Sequence, residues 1–254
     1  MNKKIIITSL SLFLFSVGFG SDVTGNDILK KVDALTVGVE APKDTQMVMT
    51  MKIVSSSGNE KVRELKTWTK NNPDQDDWRL MKFASPPDVR NVGFLTLSDE
   101  QMYLYLPEFH RIRRIASHNK SDRFMGSDFS YDDLGVTSFQ KYYEAEILSE
   151  EDDSWMLKLS KKPEADKPYE KIEMWVSKES NLPVKMKLYD SSGELWKEEL
   201  QENKSFGSYW IPVKITMKNI KEGSWTELTM KDIQTDQGLD SELFTPRYLK
   251  RSIR

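Results

Sequence analysis

From Thr45 to Thr235 the chain keeps returning to short extended segments broken by turn residues, and this rhythm constrains the fold more than any other feature. In the first of them, TQMVMTMKIVS, the two-residue period of a strand puts Met47, Met49, Met51 and Ile53 on one side and Val48, Thr50, Lys52 and Val54 on the other. Glu60 to Lys70 follows the turn Ser57-Gly58-Asn59, Trp78 to Phe83 follows Asn72-Pro73-Asp74, and Val92 to Leu97 follows Pro86-Pro87-Asp88. Continued to Ser224–Thr235, the pattern predicts about eleven strands. Most connections are too short for a crossover, so neighbours should pair antiparallel in a meander. A twisted sheet of so many strands must curl, close or pack on something. The expected fold class is therefore mainly β: a curved antiparallel sheet forming an unclosed half barrel, its concave face covered by helices. Two segments are available as the cover. Thr24 to Leu35 reads as a helix, with Thr24 and Asp27 in capping positions and Ile28, Leu29, Val32 and Leu35 on one face. The other is the long insertion from Pro107 to about Gln140. The tail from Gly238, with LDSELFTPRYL, predicts a short helical turn and an extended end. No repeat or linker divides residues 21–254, which read as a single domain.

The first residues, MNKKIIITSLSLFLFSVGFGSD, carry Lys3 and Lys4, an apolar run from Ile5 to about Val17 and small residues at Gly18, Gly20 and Ser21. That is the pattern of a secretory signal peptide over residues 1–20, shorter in its apolar part than the roughly 20 residues of a permanent span. The expected mature protein is exported and soluble. It has no cysteine, which removes disulfides, thiolate chemistry and the acceptor for a lipid anchor. With 37 Lys and Arg against 40 Asp and Glu the net charge is −3, and loss of Lys3 and Lys4 makes it about −5. Nucleic acid is excluded as a main partner, because its binding rests on a basic footprint that displaces counterions.

The apolar strand faces are built from methionine and aromatics more than from valine and isoleucine. Met47, Met49, Met51 and Ile53 form one such face, Trp78 and Leu80 another, and Trp155, Leu157 and Leu159 a third. Taken singly, each reads as core. As a set, with Phe94, Tyr103, Tyr105, Phe124, Met125 and Phe129, they are candidates for the lining of a lipid cavity. Methionine is flexible and polarizable, and a curled sheet of this size can enclose a ligand.

The equipment of an enzyme is missing from the pattern. The two histidines, His110 and His118, stand in no recognisable metal-binding arrangement, so neither metal nor other cofactor is expected. Gly126-Ser127-Asp128 lacks the second glycine of a nucleophile elbow, no phosphate-binding glycine loop is present, and the run Glu150 to Asp153 reads as a solvated hairpin tip. The protein is expected not to be an enzyme.

One stretch breaks the meander with concentrated charge. Tyr103 to Pro107 ends a strand, His110, Arg111, Arg113 and Arg114 follow with Ile112 and Ile115 between them, and Arg123 leads into FMGSDFSYDDL. Two roles stay open. In a structural clasp, the arginines pair with Asp128, Asp132 and Asp133 across a turn at Gly126, while Phe124, Met125 and Phe129 insert into the open end of the sheet. In a headgroup site, Arg111, Arg113 or Arg114 stands at the cavity mouth and receives an anionic lipid. YLYLPEFHRIRRIA and RFMGSDFSYDDL, with FTPRYL near the C-terminus, resemble the YLP, RRI and FMG-DFSYEDL signatures of the outer membrane lipoprotein-sorting proteins related to the carrier LolA. The resemblance covers essentially the whole mature chain. It implies an unclosed antiparallel barrel plugged by helices, a periplasmic address, and an apolar cavity for lipid or lipoprotein acyl chains carried between membranes. It also implies an inner-membrane, lipid-exporting transporter of the resistance-nodulation-division type as a partner, with transient membrane contact. This chain is longer than LolA, which lacks the FMG-DFSYDD block, so lipoprotein cargo in the strict sense does not follow. An interaction module serving such a transporter, without cargo of its own, is the alternative reading.

Overall fold

Hairpin after hairpin, the extended segments pair in sequence order, and the two halves of the chain meet through their outermost members. The computed structural model describes residues 23–72, 75–135 and 138–253, so the expected signal peptide at 1–20 lies outside the described residues. The first meander runs through β1 (Asp44–Val54), β2 (Glu60–Lys70), β3 (Trp78–Ser85), β4 (Gly93–Ser98), β5 (Gln101–Leu106) and β6 (Arg111–Arg114). The second runs through β7 (Tyr143–Glu150), β8 (Ser154–Lys161), β9 (Lys171–Ser177), β10 (Pro183–Tyr189), β11 (Leu195–Phe206), β12 (Tyr209–Asn219) and β13 (Ser224–Thr235). Their spatial order is β6-β5-β4-β3-β2-β1-β13-β12-β11-β10-β9-β8-β7, one sheet of thirteen strands whose ends, β6 and β7, remain edges. The sequence pattern predicts about eleven. The clearest addition is β6, whose four residues include three arginines and so offer no apolar alternation to read.

At the ordinary strand spacing a flat sheet of this width would stretch roughly 55–60 Å. Its residues nevertheless share one core: Met49 and Met51 of β1, Phe83 of β3, Phe94 of β4, Leu157 of β8, Met174 of β9, Met217 of β12 and Leu228 of β13 belong to one buried cluster. The sheet must curl for that to happen, and the concave side is filled by the two expected covers. Helix α1 (Gly25–Thr36) has the predicted capping box between Thr24 and Asp27 and buries Ile28, Leu29 and Val32. Asp33 on the same helix caps α2 (Phe139–Tyr142), accepting the Phe139 and Gln140 amides at 2.9 Å each. No helix among the described residues is long and apolar enough to cross a membrane.

The opposite, convex face of the first meander is also apolar, and the tail covers it. A 3-10 turn (Ser241–Phe244) and α3 (Pro246–Leu249) bring Phe244 and Leu249 onto Leu80, Leu95 and Tyr105, with Trp68, Trp78, Tyr103 and Ile112 around them. The approach is close enough that a Cβ on Gly93 would stand 2.6 Å from Leu249 Cδ1. This corrects the expected cavity lining at four positions. Trp78, Leu80, Tyr103 and Tyr105 lie on the convex face under the tail, because the inward parity of β3 belongs to Arg79, Met81 and Phe83, and that of β5 to Met102 and Leu104.

Candidate functional site

The segment that crosses from β6 back to β7 fills one part of the concave side and leaves a hollow beside it. Phe124 anchors the plug: fully buried, its ring lies 5.8 Å from Phe83, 5.3 Å from Phe94 and 5.5 Å from Tyr131. The chain then turns through Met125 (φ 50°) and Gly126 (φ 78°), a left-handed pair in which glycine removes one steric cost. Arg63 of β2 donates to the Met125 carbonyl at 2.6 Å.

Asp128 ties this turn to the β12–β13 hairpin. It is 1% exposed; its carboxylate accepts from Arg123 Nη2 at 2.9 Å, from Thr226 Oγ1 at 2.7 Å and from the Ser224 hydroxyl. Its amide donates to Thr226 Oγ1 at 2.9 Å. The clasp is thus made by Arg123, which also pairs with Glu222. Arg111, Arg113 and Arg114, expected as clasp or headgroup residues, are all exposed on edge strand β6 and none lines the hollow. Arg114 donates to the Glu100 carbonyl from Nε and Nη2, at 3.2 and 2.8 Å. They miss the clasp because β6 pairs with β5 and so runs along the sheet rather than over the plug.

Past Asp128, the SYDDL residues bind the plug to the second meander. Asp133 accepts from Lys197 Nζ of β11 at 2.9 Å and from the Tyr169 hydroxyl at 2.7 Å, while Asp132 pairs with Lys167 at 2.9 Å. Burial alone would raise the Asp133 carboxyl, but Lys197, the Ser130 amide and Tyr169 hold it below its usual range; burial outweighs Lys167 at Asp132 and lifts it. On the other side, Arg79 of β3 donates to the Leu134 carbonyl at 3.0 Å.

Between plug, sheet and α1 lies a cavity of about 360 Å³. Met47 and Met49 of β1, Met81 of β3, Met186 of β10 and Met230 of β13 line it, together with Leu228, Ile215 and Phe129. Its volume falls within the roughly 300–1,000 Å³ of small-molecule sites. Leu35, Thr36, Val37 and Pro42 bound it on the α1 side, and Leu182, Pro183, Trp210, Ile211 and Pro212 on the other. Polar residues occupy one part of the wall: Arg79, Asp132, Asp133, Lys167, Tyr169, Glu199 and Gln201.

Of the residues expected to line a cavity, Met47, Met49 and Phe129 do so. Met51, Ile53, Phe94, Phe124 and Leu157 are packed in the same core outside the cavity wall, with Met125 and Trp155 against it. Sequence reasoning missed Met81, Met186, Met230 and the polar wall. Met230 carried a signal, since it stands directly opposite Met49 in the β1–β13 ladder, but that pairing joins residues far apart in the chain. His110 and His118 are exposed, and no group of three or more metal-ligating side chains comes together among the described residues.

Comparison with known proteins bears on this arrangement. Residues 75–251 match the model of a family described as "uncharacterized protein". A solved DUF1329 family protein from Desulfovibrio piger is 25% identical with a TM-score of 0.82, over 89% of this chain and 97% of that one. A candidate outer membrane lipoprotein-sorting protein domain from Vibrio parahaemolyticus is 28% identical with a TM-score of 0.81, over 89% and 98%. A LolA superfamily protein from Nitrosomonas europaea, 21% identical, shares the fold at a TM-score of 0.70 over 89% and 99%. No curated protein matches the chain.

Proposed function

Because the chain belongs to the LolA-like family, we propose that it is a periplasmic carrier that takes a lipid or lipoprotein acyl chain into the cavity of its curved sheet and hands it on, between membranes or to and from a lipid-exporting transporter. The observation that carries this reading is the cavity of about 360 Å³, walled by methionines from four strands and roofed by the plug. Each methylene moved from water into such a space contributes about 0.8 kcal/mol, so a chain of about sixteen carbons gains on the order of 12 kcal/mol. Affinity is easily reached, and release is the harder requirement. A methionine wall, deformable and tolerant of shape, weakens the grip compared with a rigid fit and accepts tails of different length.

Titration with a fluorescent fatty acid tests the reading. Wild-type protein is expected to bind the probe saturably and to give it up to unlabelled fatty acid. Met49→Asp, and Met47→Asp at a less buried position on the same face, are each expected to weaken uptake at least about tenfold by placing a carboxylate against the tail. Absence of uptake by the wild type, or unchanged uptake by a variant with wild-type circular dichroism, contradicts it.

A further inference from the structure

The wall of the cavity contains one ionisable group that its neighbours leave without a hydrogen bond. Along β11 the inward positions are Lys197, Glu199 and Gln201, and the first and last are engaged: Lys197 with Asp133 at 2.9 Å, Gln201 with Asn203 at 2.8 Å. Glu199 between them makes no hydrogen bond or ion pair among the described residues. The groups that face it are Asp133 from the plug, Lys197 on its own strand and Tyr169 before β9, with Asp132, Lys167 and Arg79 on the same wall. Lys197 and Lys167 are already paired to aspartates, and Arg79 is turned to the Leu134 carbonyl. Burial, with Asp133 adding to it and Lys197 opposing, pushes the Glu199 carboxyl up to about 8.

An acid that stays neutral is a hydrogen-bond donor. Arg79, Lys167 and Lys197 around Glu199 are each engaged, by the Leu134 carbonyl, Asp132 and Asp133 in turn, so none of them is left to receive an anionic headgroup. Resting on the carrier reading above, we propose that Glu199 is the polar contact of the cavity: its protonated carboxyl donates to the uncharged carbonyl oxygen of the ester or amide that joins an acyl tail to its parent molecule. The cavity then selects acylated molecules over bare hydrocarbon, and ionisation of Glu199 beside Asp133 withdraws the donor and favours release.

Two probes separate this proposal from the reading beneath it: an apolar fluorescent dye without a carbonyl, for the cavity, and monolauroylglycerol, an uncharged ester, for Glu199. The wild type should take up the dye at every pH and bind the ester roughly five- to tenfold more weakly at pH 9.5 than at pH 6, the loss of about one hydrogen bond. Glu199→Gln, whose amide still donates, should keep the pH 6 affinity throughout. Glu199→Leu should still take up the dye, which shows the cavity intact, but should bind the ester as weakly at pH 6 as the wild type does at pH 9.5. Dye uptake with an ester affinity that neither pH nor Glu199→Leu changes overturns the role of Glu199 alone. Failure of the wild type to take up either probe overturns the carrier reading and this proposal with it.

Discussion

Asp128 shows how much one side chain in this plug is asked to hold. Removing its carboxylate strands the Ser224 and Thr226 hydroxyls in a buried site and leaves Arg123 with Glu222 and the Gly126 and Ser127 carbonyls alone, so Asp128→Ala should cost about 2–3 kcal/mol, seen as a fall in Tm of roughly 5–10 °C. Arg114→Ala removes only an exposed contact to a carbonyl and should change stability by no more than about 0.5 kcal/mol in the same melts. That contrast was illegible in the sequence, where Arg111, Arg113, Arg114 and Arg123 look alike. What separates them is that Arg123 leaves from the plug itself, five residues before its partner. Glu199 makes a second test. The native protein keeps its proton up to about pH 8, whereas a free carboxylate gives it up near 4.5, so this residue lowers stability progressively as pH rises between those values. Glu199→Gln should match the wild type at pH 4 and exceed it at pH 8.5 by on the order of 2 kcal/mol in urea unfolding. Nothing in the run Glu198-Glu199 announces this, since two adjacent acids on a strand read as solvated; burial arises only when the plug folds over the inward one.

At the scale of elements, alternation is readable when one face of a strand is apolar and fails when both are. In β1 the methionines at 47, 49 and 51 alternate with Val48, Thr50 and Lys52, and the inward face follows directly. In β3, Trp78 and Leu80 compete with Met81 and Phe83, and the sequence favours the larger ring; the structure turns Trp78 outward because the tail waits there to cover it. A tail that covers an apolar face is a structural element with a measurable cost of removal. Truncation after Gln237 should uncover Leu80, Leu95, Trp78 and Tyr105, and is expected to appear as dye binding to exposed apolar surface and as aggregation on purification. A truncated protein that stays monomeric and melts like the full chain would contradict the covering role. Phe124→Ala in the plug, with three aromatic rings around it, should destabilise by about 3–5 kcal/mol in urea unfolding, the range for a buried aromatic cut to alanine.

Across the whole molecule, the antiparallel meander was legible because its turns are short and marked by Gly, Pro, Asn and Asp. Closure of the two meanders through β1 and β13 was not. Thr45 pairs with Thr235, and no local pattern encodes a contact over that separation. The curl that follows from it makes the hollow, so the part of the site that rests on strand alternation was visible, at Met47 and Met49, while the part assembled from distant segments, Arg79 with Asp132, Lys167 and Glu199, was not. On the carrier reading this hollow holds a hydrocarbon tail. Mass spectrometry of protein purified without detergent, native and after organic extraction, should find an acyl species close to one per chain, lost from the Met49→Asp variant. A chain-free wild type that remains empty after exposure to lipid would contradict that reading.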